Sequence, residues 1–243
     1  MPDFGDNGDF WLFGYGSLIW KPPPHYDQRV PGYIEGYVRR FWQVHPNSED
    51  HRGTPEAPGR VVTLIDRAHW ETLVDHHDSL PTEKVWGAAY HIPAPKVPEV
   101  RAYLDIREIN GYSIQYTPFH PASNQPNATK SHPEPIKCLV YIGLPSNPQF
   151  LGPQDPQELA AHILKSRGPS GENKEYLYML ETALLDLSAE SEDRHISDLA
   201  SRCRKLEVSE SKGPSRSEVL GQLEVESGLH KVGSTEEQEE VEK

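Results

Sequence analysis

Residues 11–20, WLFGYGSLIW, form an apolar and aromatic run cut by Gly14-Tyr15-Gly16-Ser17. Strand interiors rarely carry two glycines in three positions unless the backbone turns tightly or something approaches it closely. Any fold this chain adopts must therefore bend or break here. Two readings of the break stand open. It is a bulge between apolar flanks, or it is a nest of consecutive N–H groups that holds a carboxylate or an oxyanion. The third glycine of a dinucleotide fingerprint is missing, and so is the Gly-Lys-Ser/Thr of a phosphate loop, which argues against a nucleotide site. No Gly-x-Ser-x-Gly elbow surrounds Ser17, a poor candidate for a hydrolase nucleophile.

The first two-thirds of the chain read as β-rich. Residues 34–44 (IEGYVRRFWQV) fit one long strand with large side chains on both faces. RVVTLI at 60–65, VWGAAYHI at 85–92 and IKCLVYI at 136–142 have strand length and composition. GYSIQYTPF at 111–119 is a further strand, with Pro118 expected to end its pairing. Polar, proline-broken stretches at 45–59 and 120–135 read as loops, the second as an insertion between strands. Helices come later. Val97, Val100 and Leu104 share a stripe, and Pro156–Arg167 has proline at its start and Gly168-Pro169 at its end. Leu177, Leu180, Leu184 and Leu187 form another stripe, as do Ile196, Leu199, Cys203 and Leu206. The reading is a single α+β domain over residues 1–206, with a helical C-terminal third.

Residues 207–243 contain ten acidic and four basic residues and no aromatic, which reads as a disordered acidic tail. The whole chain carries a net charge of −13, which argues against nucleic acid or an anionic membrane as a main partner. Cys138 and Cys203, the two cysteines among 243 residues, make no disulfide scaffold, and no signal peptide or long apolar span is present. The expected setting is a reducing, soluble compartment, the cytoplasm. The oligomeric state stays open, a monomer included.

Four groups could carry chemistry. The glycine turn is the first. Glu108, at an expected helix-to-strand junction, is either a solvated carboxylate paired with Arg107 or Arg101, or a base leaning over a sheet edge into a pocket. Apolar surroundings would raise its pKa toward the range useful to a base. The twelve histidines, His76-His77 included, show no metal-binding spacing and read as scattered surface and loop residues, so no metal site is expected. Arg39 and Arg40 are adjacent, so on a strand they point to opposite faces, and whichever is buried needs a carboxylate.

Taken together, the chain resembles the ChaC family of glutathione-specific γ-glutamylcyclotransferases. The matching segments are FGYGSLIWKP (13–22), GYIEGYVRRFWQ (32–43), DHRGTP (50–55), PGRVVTL (58–64) and VWGAAY (85–90). YLDIREINGY (103–112), CLVYIG (138–143), FLGPQ (150–154) and GPSGENKEYLYML (168–180) continue the match in order. The resemblance implies a mixed β-sheet closing toward a barrel, with flanking helices. It implies a lyase that splits glutathione into 5-oxoproline and cysteinylglycine without a cofactor. It also implies a substrate loop at Phe13, Gly14, Tyr15, Gly16, Ser17 and Leu18, a catalytic base at Glu108 and a substrate contact at Tyr176. Two alternatives accompany it: a cyclotransferase for other γ-glutamyl amines or amino acids, and a catalytically silent glutathione-binding protein. The 120–135 insertion and the tail have no counterpart in the resemblance.

Overall fold

A computed structural model of the chain describes residues 9–44, 52–77, 80–107, 112–122 and 135–211. Seven main strands appear: β1 (Asp9–Gly14), β2 (Gln28–Glu35), β3 (Tyr37–Val44), β4 (Arg60–Asp66), β5 (Lys84–Pro93), β6 (Tyr112–Pro121) and β7 (Ile136–Gly143). The helices are α1 (Arg67–Trp70), α2 (Val97–Arg107), α3 (Pro156–Lys165), α4 (Asn173–Leu185) and α5 (Arg194–Ser211). Five strands close a barrel in the order β1-β5-β2-β6-β7, while β3 and β4 pair as a separate ribbon. The barrel closes through a parallel contact, Leu12 of β1 against Leu139 of β7. The chain divides into a compact unit ending at Arg204 and a second unit from Lys205, of which residues 205–211 are described.

The sequence patterns explain most elements. On α2 the stripe Val97, Val100 and Leu104 is buried against Phe10, Leu12, Leu18, Ile92 and Leu139, so this helix seals one flank of the barrel. Helix α3 starts as expected at Pro156, and the Asp155 carboxylate caps it by accepting from the Gln157 and Glu158 N–H groups. Leu177, Leu180 and Leu184 of α4 and Ile196, Leu199 and Cys203 of α5 are buried. Both cysteines are buried free thiols.

Four expectations change. Residues 34–44 are two strands, because Gly36 takes φ +85° and turns the chain from the barrel into the ribbon. Pairing does not end at Pro118, which faces Lys137 within a β6–β7 ladder running on to Phe119. The β2 register on the other side of β6 covers only Phe119–Pro121, so Pro118 sits where β6 is paired on one side and its missing N–H costs no bond there. Arg39 and Arg40 are both buried, at 2% exposure each, since both faces of the ribbon are covered. Arg39 Nη1 lies 3.2 Å from Asp193 Oδ2 and Nη2 donates to the Trp86 carbonyl, while Arg40 Nε donates to Asp75 Oδ2 at 2.7 Å. Finally, His77 and His195 are not surface residues; their rings meet edge to face at 4.1 Å in the interior.

Asp75 is held by more than one partner. Burial pushes its pKa up, but the His77 ring and the Arg40 guanidinium outweigh that and hold the carboxyl well below its usual range. Removing one member of such a buried pair strands the other. Arg40→Ala should lower unfolding free energy by about 3–5 kcal/mol in urea titrations; a change under about 1 kcal/mol would place the pair among weak surface contacts.

Candidate active site

β1 and β7 run parallel, with Leu12 opposite Leu139, so their last residues, Gly14 and Gly143, lie at the same end of the barrel. Strand β6 starts at the same barrel end, with Tyr112 opposite Gly143. Glu108 lies outside the described residues, between the last residue of α2, Arg107, and the first of β6, Tyr112.

After Gly14 the chain turns back through Tyr15 and Gly16 into a 3-10 turn, Ser17–Ile19. The Ile19 N–H bonds the Gly16 carbonyl at 2.9 Å and the Lys21 N–H bonds the Ser17 carbonyl at 2.8 Å. Ser17 and Leu18 stand at the head of the turn, where the N–H groups of a short helical turn point out along its axis. The turn is pinned from β5: Tyr90 Oη donates to the Leu18 carbonyl at 2.7 Å and accepts from Arg29 Nε at 3.3 Å. Burial raises the pKa of that phenol, although Arg29 acts against the rise. The bend needs its glycines. A Cβ on Gly14 would lie 2.6 Å from Leu18 Cβ. One on Gly16 would lie 2.9 Å from Val62 Cγ2 and 3.1 Å from Tyr176 Oη.

Phe13 and Leu18 are buried, Phe13 tilted against Phe119 and Leu18 in the apolar cluster under α2. Anything these two offer a ligand at the turn therefore comes through their backbone. Tyr15 is 8% exposed and Tyr176 is equally buried. Tyr176 packs edge-on against Trp20 and Phe41, at 5.3 and 5.8 Å between ring centres. Burial pushes the Arg39 pKa down, and Asp193, Tyr176 and Tyr15 oppose that, so a buried cation lies within electrostatic reach of both phenols. The structure thus brings together the turn and Tyr176, residues far apart in the chain.

Two clamps aim α4 so that Tyr176 meets the turn. Arg52 Nη1 donates to Glu175 Oε2 at 2.7 Å and to the Glu172 carbonyl at 3.0 Å. Asn173, fully buried at the first position of α4, accepts from the Arg60 N–H and donates to the Arg60 carbonyl, both at 2.8 Å. Its carboxamide thereby copies the pairing of a neighbouring strand. The Glu172 and Glu175 side chains form a capping box across the same helix start.

The β3–β4 ribbon supplies the other wall. Val62 lies against Gly16, and its neighbour Thr63 lies against Gly143. A Cβ on Gly143 would collide with Thr63 Oγ1 and lie 2.6 Å from Gln43 Oε1. The ribbon bulges between Arg40 and Gln43, so Phe41 and Trp42 together oppose Val62. The Phe41 N–H donates instead to His195 Nε2 at 3.0 Å. Sequence reading missed this role of His195 and missed Gln43. Their one signal was a polar side chain inside a run that is otherwise bulky on both faces, and a histidine on an apolar helix stripe.

Among the described residues no group of three or more His, Cys, Asp or Glu is placed to hold a metal ion. No helix there is long and apolar enough to cross a membrane.

Three comparisons bear on the site. The family described as "ChaC-like protein" matches residues 10–206. A glutathione-specific γ-glutamylcyclotransferase of Schizosaccharomyces pombe is 43% identical over 205 residues, covering 84% of this chain and 97% of that protein. Glutathione-specific γ-glutamylcyclotransferase 1 of Homo sapiens is 36% identical over 194 residues, covering 79% and 77% of the two chains. Among solved structures, a glutathione-specific γ-glutamyl cyclotransferase from yeast superposes with a TM-score of 0.70 at 36% identity, covering 82% of this chain and 97% of that one.

The bulge makes a pH prediction. Burial keeps His195 neutral, with its pKa well below the ordinary 6.5, and Arg40, His77 and Arg39 push the same way. The unfolded chain takes up a proton on this ring near pH ~6.5 and the folded one does not. This contribution to stability is therefore complete above pH ~6.5 and is lost as pH falls below it, by about 1.4 kcal/mol per pH unit. Thermal melts should show Tm falling from about pH 6.5 to 5. His195→Gln, which keeps an acceptor for Phe41, should flatten that slope; unchanged slopes in the two proteins would clear the ring of responsibility.

Proposed function

The chain belongs to the ChaC-like protein family, and we propose that it cleaves glutathione into 5-oxoproline and cysteinylglycine with Glu108 as the base. The observation that carries the reading is the barrel end itself. A glycine turn is shut against Val62 and Tyr176 beside the start of β6, directly after the segment that holds Glu108. The family match runs over residues 10–206, and relatives named glutathione-specific γ-glutamylcyclotransferase cover 79–84% of this chain.

The reaction is an internal acyl transfer. The α-amine of the γ-glutamyl group attacks its own γ-carbonyl, a new C–N bond closes the lactam, and the old C–N bond to cysteine breaks. From ammonium to lactam N–H the attacking nitrogen gives up two protons, one before attack and one as the ring closes, and the departing nitrogen takes up two in becoming a free ammonium, so a carboxyl that accepts and then donates can pass them in turn. A free α-amine has a reference pKa of about 7.7–8.0 and must lose a proton before it attacks. Glu108 takes that proton, a role worth typically ~10²–10⁴-fold. Nucleophile and electrophile are already tethered, so most of the work is folding the arm; orientation of this kind can supply about 7–11 kcal/mol. In this reading the N–H groups at the head of the 13–18 turn bind the α-carboxylate or the developing oxyanion. Tyr15 and Tyr176 enclose the arm. The substrate is a small molecule, with neither nucleic acid nor membrane as partner, and the domain that acts is residues 1–206, with 207–243 as its tail. The cytoplasm, where glutathione is abundant and thiols stay reduced, is the compartment this reading assigns.

Purified wild-type protein should release 5-oxoproline from glutathione, and do so better than from γ-glutamyl-alanine. Glu108→Gln should keep the wild-type Tm and lose at least about 10²-fold in kcat. Near-parental turnover by Glu108→Gln would reject the base, and preference for γ-glutamyl-alanine would reject the substrate. Gly16→Val pushes a side chain between Val62 and Tyr176. It should cut kcat/KM by about 10²-fold, because misplacement on the scale of an ångström is enough to do so; a normal KM and kcat would remove the turn from the site.

A further inference from the structure

Gln43 is a buried polar group that takes no part in the mechanism of the proposed function. It is fully buried on β3, and neither its Oε1 nor its Nε2 has a hydrogen-bond partner. Among the described residues no other buried side-chain amide is unpaired at both atoms. Leaving a buried polar group unpaired destabilises a fold, a cost that a methionine or leucine of similar size would avoid. Nor is the residue idle in its backbone, which pairs with Val61 and bridges to Phe150. The side chain is what lacks a partner. Its tip lies over Gly143, at the barrel end that holds the glycine turn and the start of β6, in room left by the missing Cβ.

A primary carboxamide shows one N–H and its C=O on the same edge. A trans peptide turns its N–H and C=O to opposite sides and cannot engage both. A lactam holds the two on one side. Ring closure of a γ-glutamyl group brings about that arrangement, since the attacking nitrogen and the γ-carbonyl oxygen become cis neighbours as the C–N bond forms. We infer that Gln43 is a catalytic residue that pairs with this forming lactam edge, Oε1 accepting from the attacking amine and Nε2 donating to the γ-carbonyl oxygen. The inference rests on the cyclotransferase reading. Both bonds strengthen as the nitrogen gains positive and the oxygen gains negative character, so they favour the transition state over the extended substrate. Gln43 keeps its own protons throughout. The bond made is amine nitrogen to γ-carbon, the bond broken is γ-carbon to cysteine nitrogen, and the base carries the protons between the two nitrogens. The same edge exists in 5-oxoproline, so the product is a direct probe.

The test uses the full chain as wild type, Gln43→Met and Gln43→Leu. Three things are measured: Tm, steady-state kinetics on glutathione, and the inhibition constant of 5-oxoproline. The expected result is a Tm at or above wild type, because an unpaired buried amide has been replaced by an apolar group. With it, kcat falls by about 10²–10³-fold, as for loss of an oxyanion donor. KM for glutathione stays within a few-fold, and the inhibition constant of 5-oxoproline rises at least about tenfold. A kcat within about threefold of wild type in either folded variant overturns the inference. So does a lowered Tm, or failure of both variants to fold, since the amide would then be supporting the structure. If the wild type releases no 5-oxoproline from glutathione, the proposed function falls with it. If the wild type does so and the variants match it, only the role of Gln43 falls.

Discussion

Two adjacent buried cations hold the β3–β4 ribbon in place. Arg39 reaches Asp193, just before α5, and the carbonyl of Trp86 on the barrel; Arg40 reaches Asp75, beyond α1. The Arg40 guanidinium also lies over the rings of Trp42 and Trp70, so its charge is wrapped in aromatic surface as well as paired. Charges buried this deeply are tolerable only with their partners present. The ribbon is therefore locked at once to the barrel, to the 67–77 segment and to the C-terminal helical region. Everything the ribbon offers the site follows from that lock: Val62 against Gly16, Thr63 and Gln43 over Gly143, Phe41 under Tyr176.

The bulge converts this scaffold into a site wall. A regular ladder through residues 40–43 would keep strict alternation, and Phe41 and Trp42 would take opposite faces. Two residues against one lets the strand carry three consecutive large side chains, Phe41, Trp42 and Gln43, into separate environments. The price is an unpaired backbone donor, and His195 accepts from it. This demands a neutral imidazole, which burial among Arg39, Arg40 and His77 enforces. Charge placement, imidazole protonation and strand geometry thus form one coupled feature.

Much of the architecture was legible because it depends on local pattern. The strands at 60–65, 85–92 and 136–142 and the helix starts at Val97 and Pro156 follow from composition, periodicity and capping. The glycine turn was legible as a break, and the motif resemblance tied it to Tyr176. What escaped depended on partners distant in sequence. Nothing local told that Gly36 would take a positive φ and split a strand, or that Pro118 would fall where one neighbouring strand had run out. The opposite-face argument for Arg39 and Arg40 was sound, but it assumed one wet face; both faces are covered, so both cations needed carboxylates. His77 and His195 resembled loop and surface residues because their surroundings are assembled from segments more than a hundred residues apart.

The site is defined by missing atoms as much as by functional groups. At Gly14, Gly16 and Gly143 a single added carbon would strike a named neighbour, so the backbone at both strand ends is packed to within a methyl group. That suits the proposed reaction, whose two partners are already joined. A tethered amine and carbonyl need compression into a ring more than activation, and compression is supplied by walls that cannot give way. Rigid walls in turn need the buried pairs behind them, since a wall backed by water or by mobile side chains would relax before the substrate did. The same requirement explains why the clamps on α4 are fixed amide and guanidinium geometries rather than apolar contacts alone. Hydrogen bonds set the angle at which Tyr176 meets Gly16, whereas apolar packing would have set only the distance.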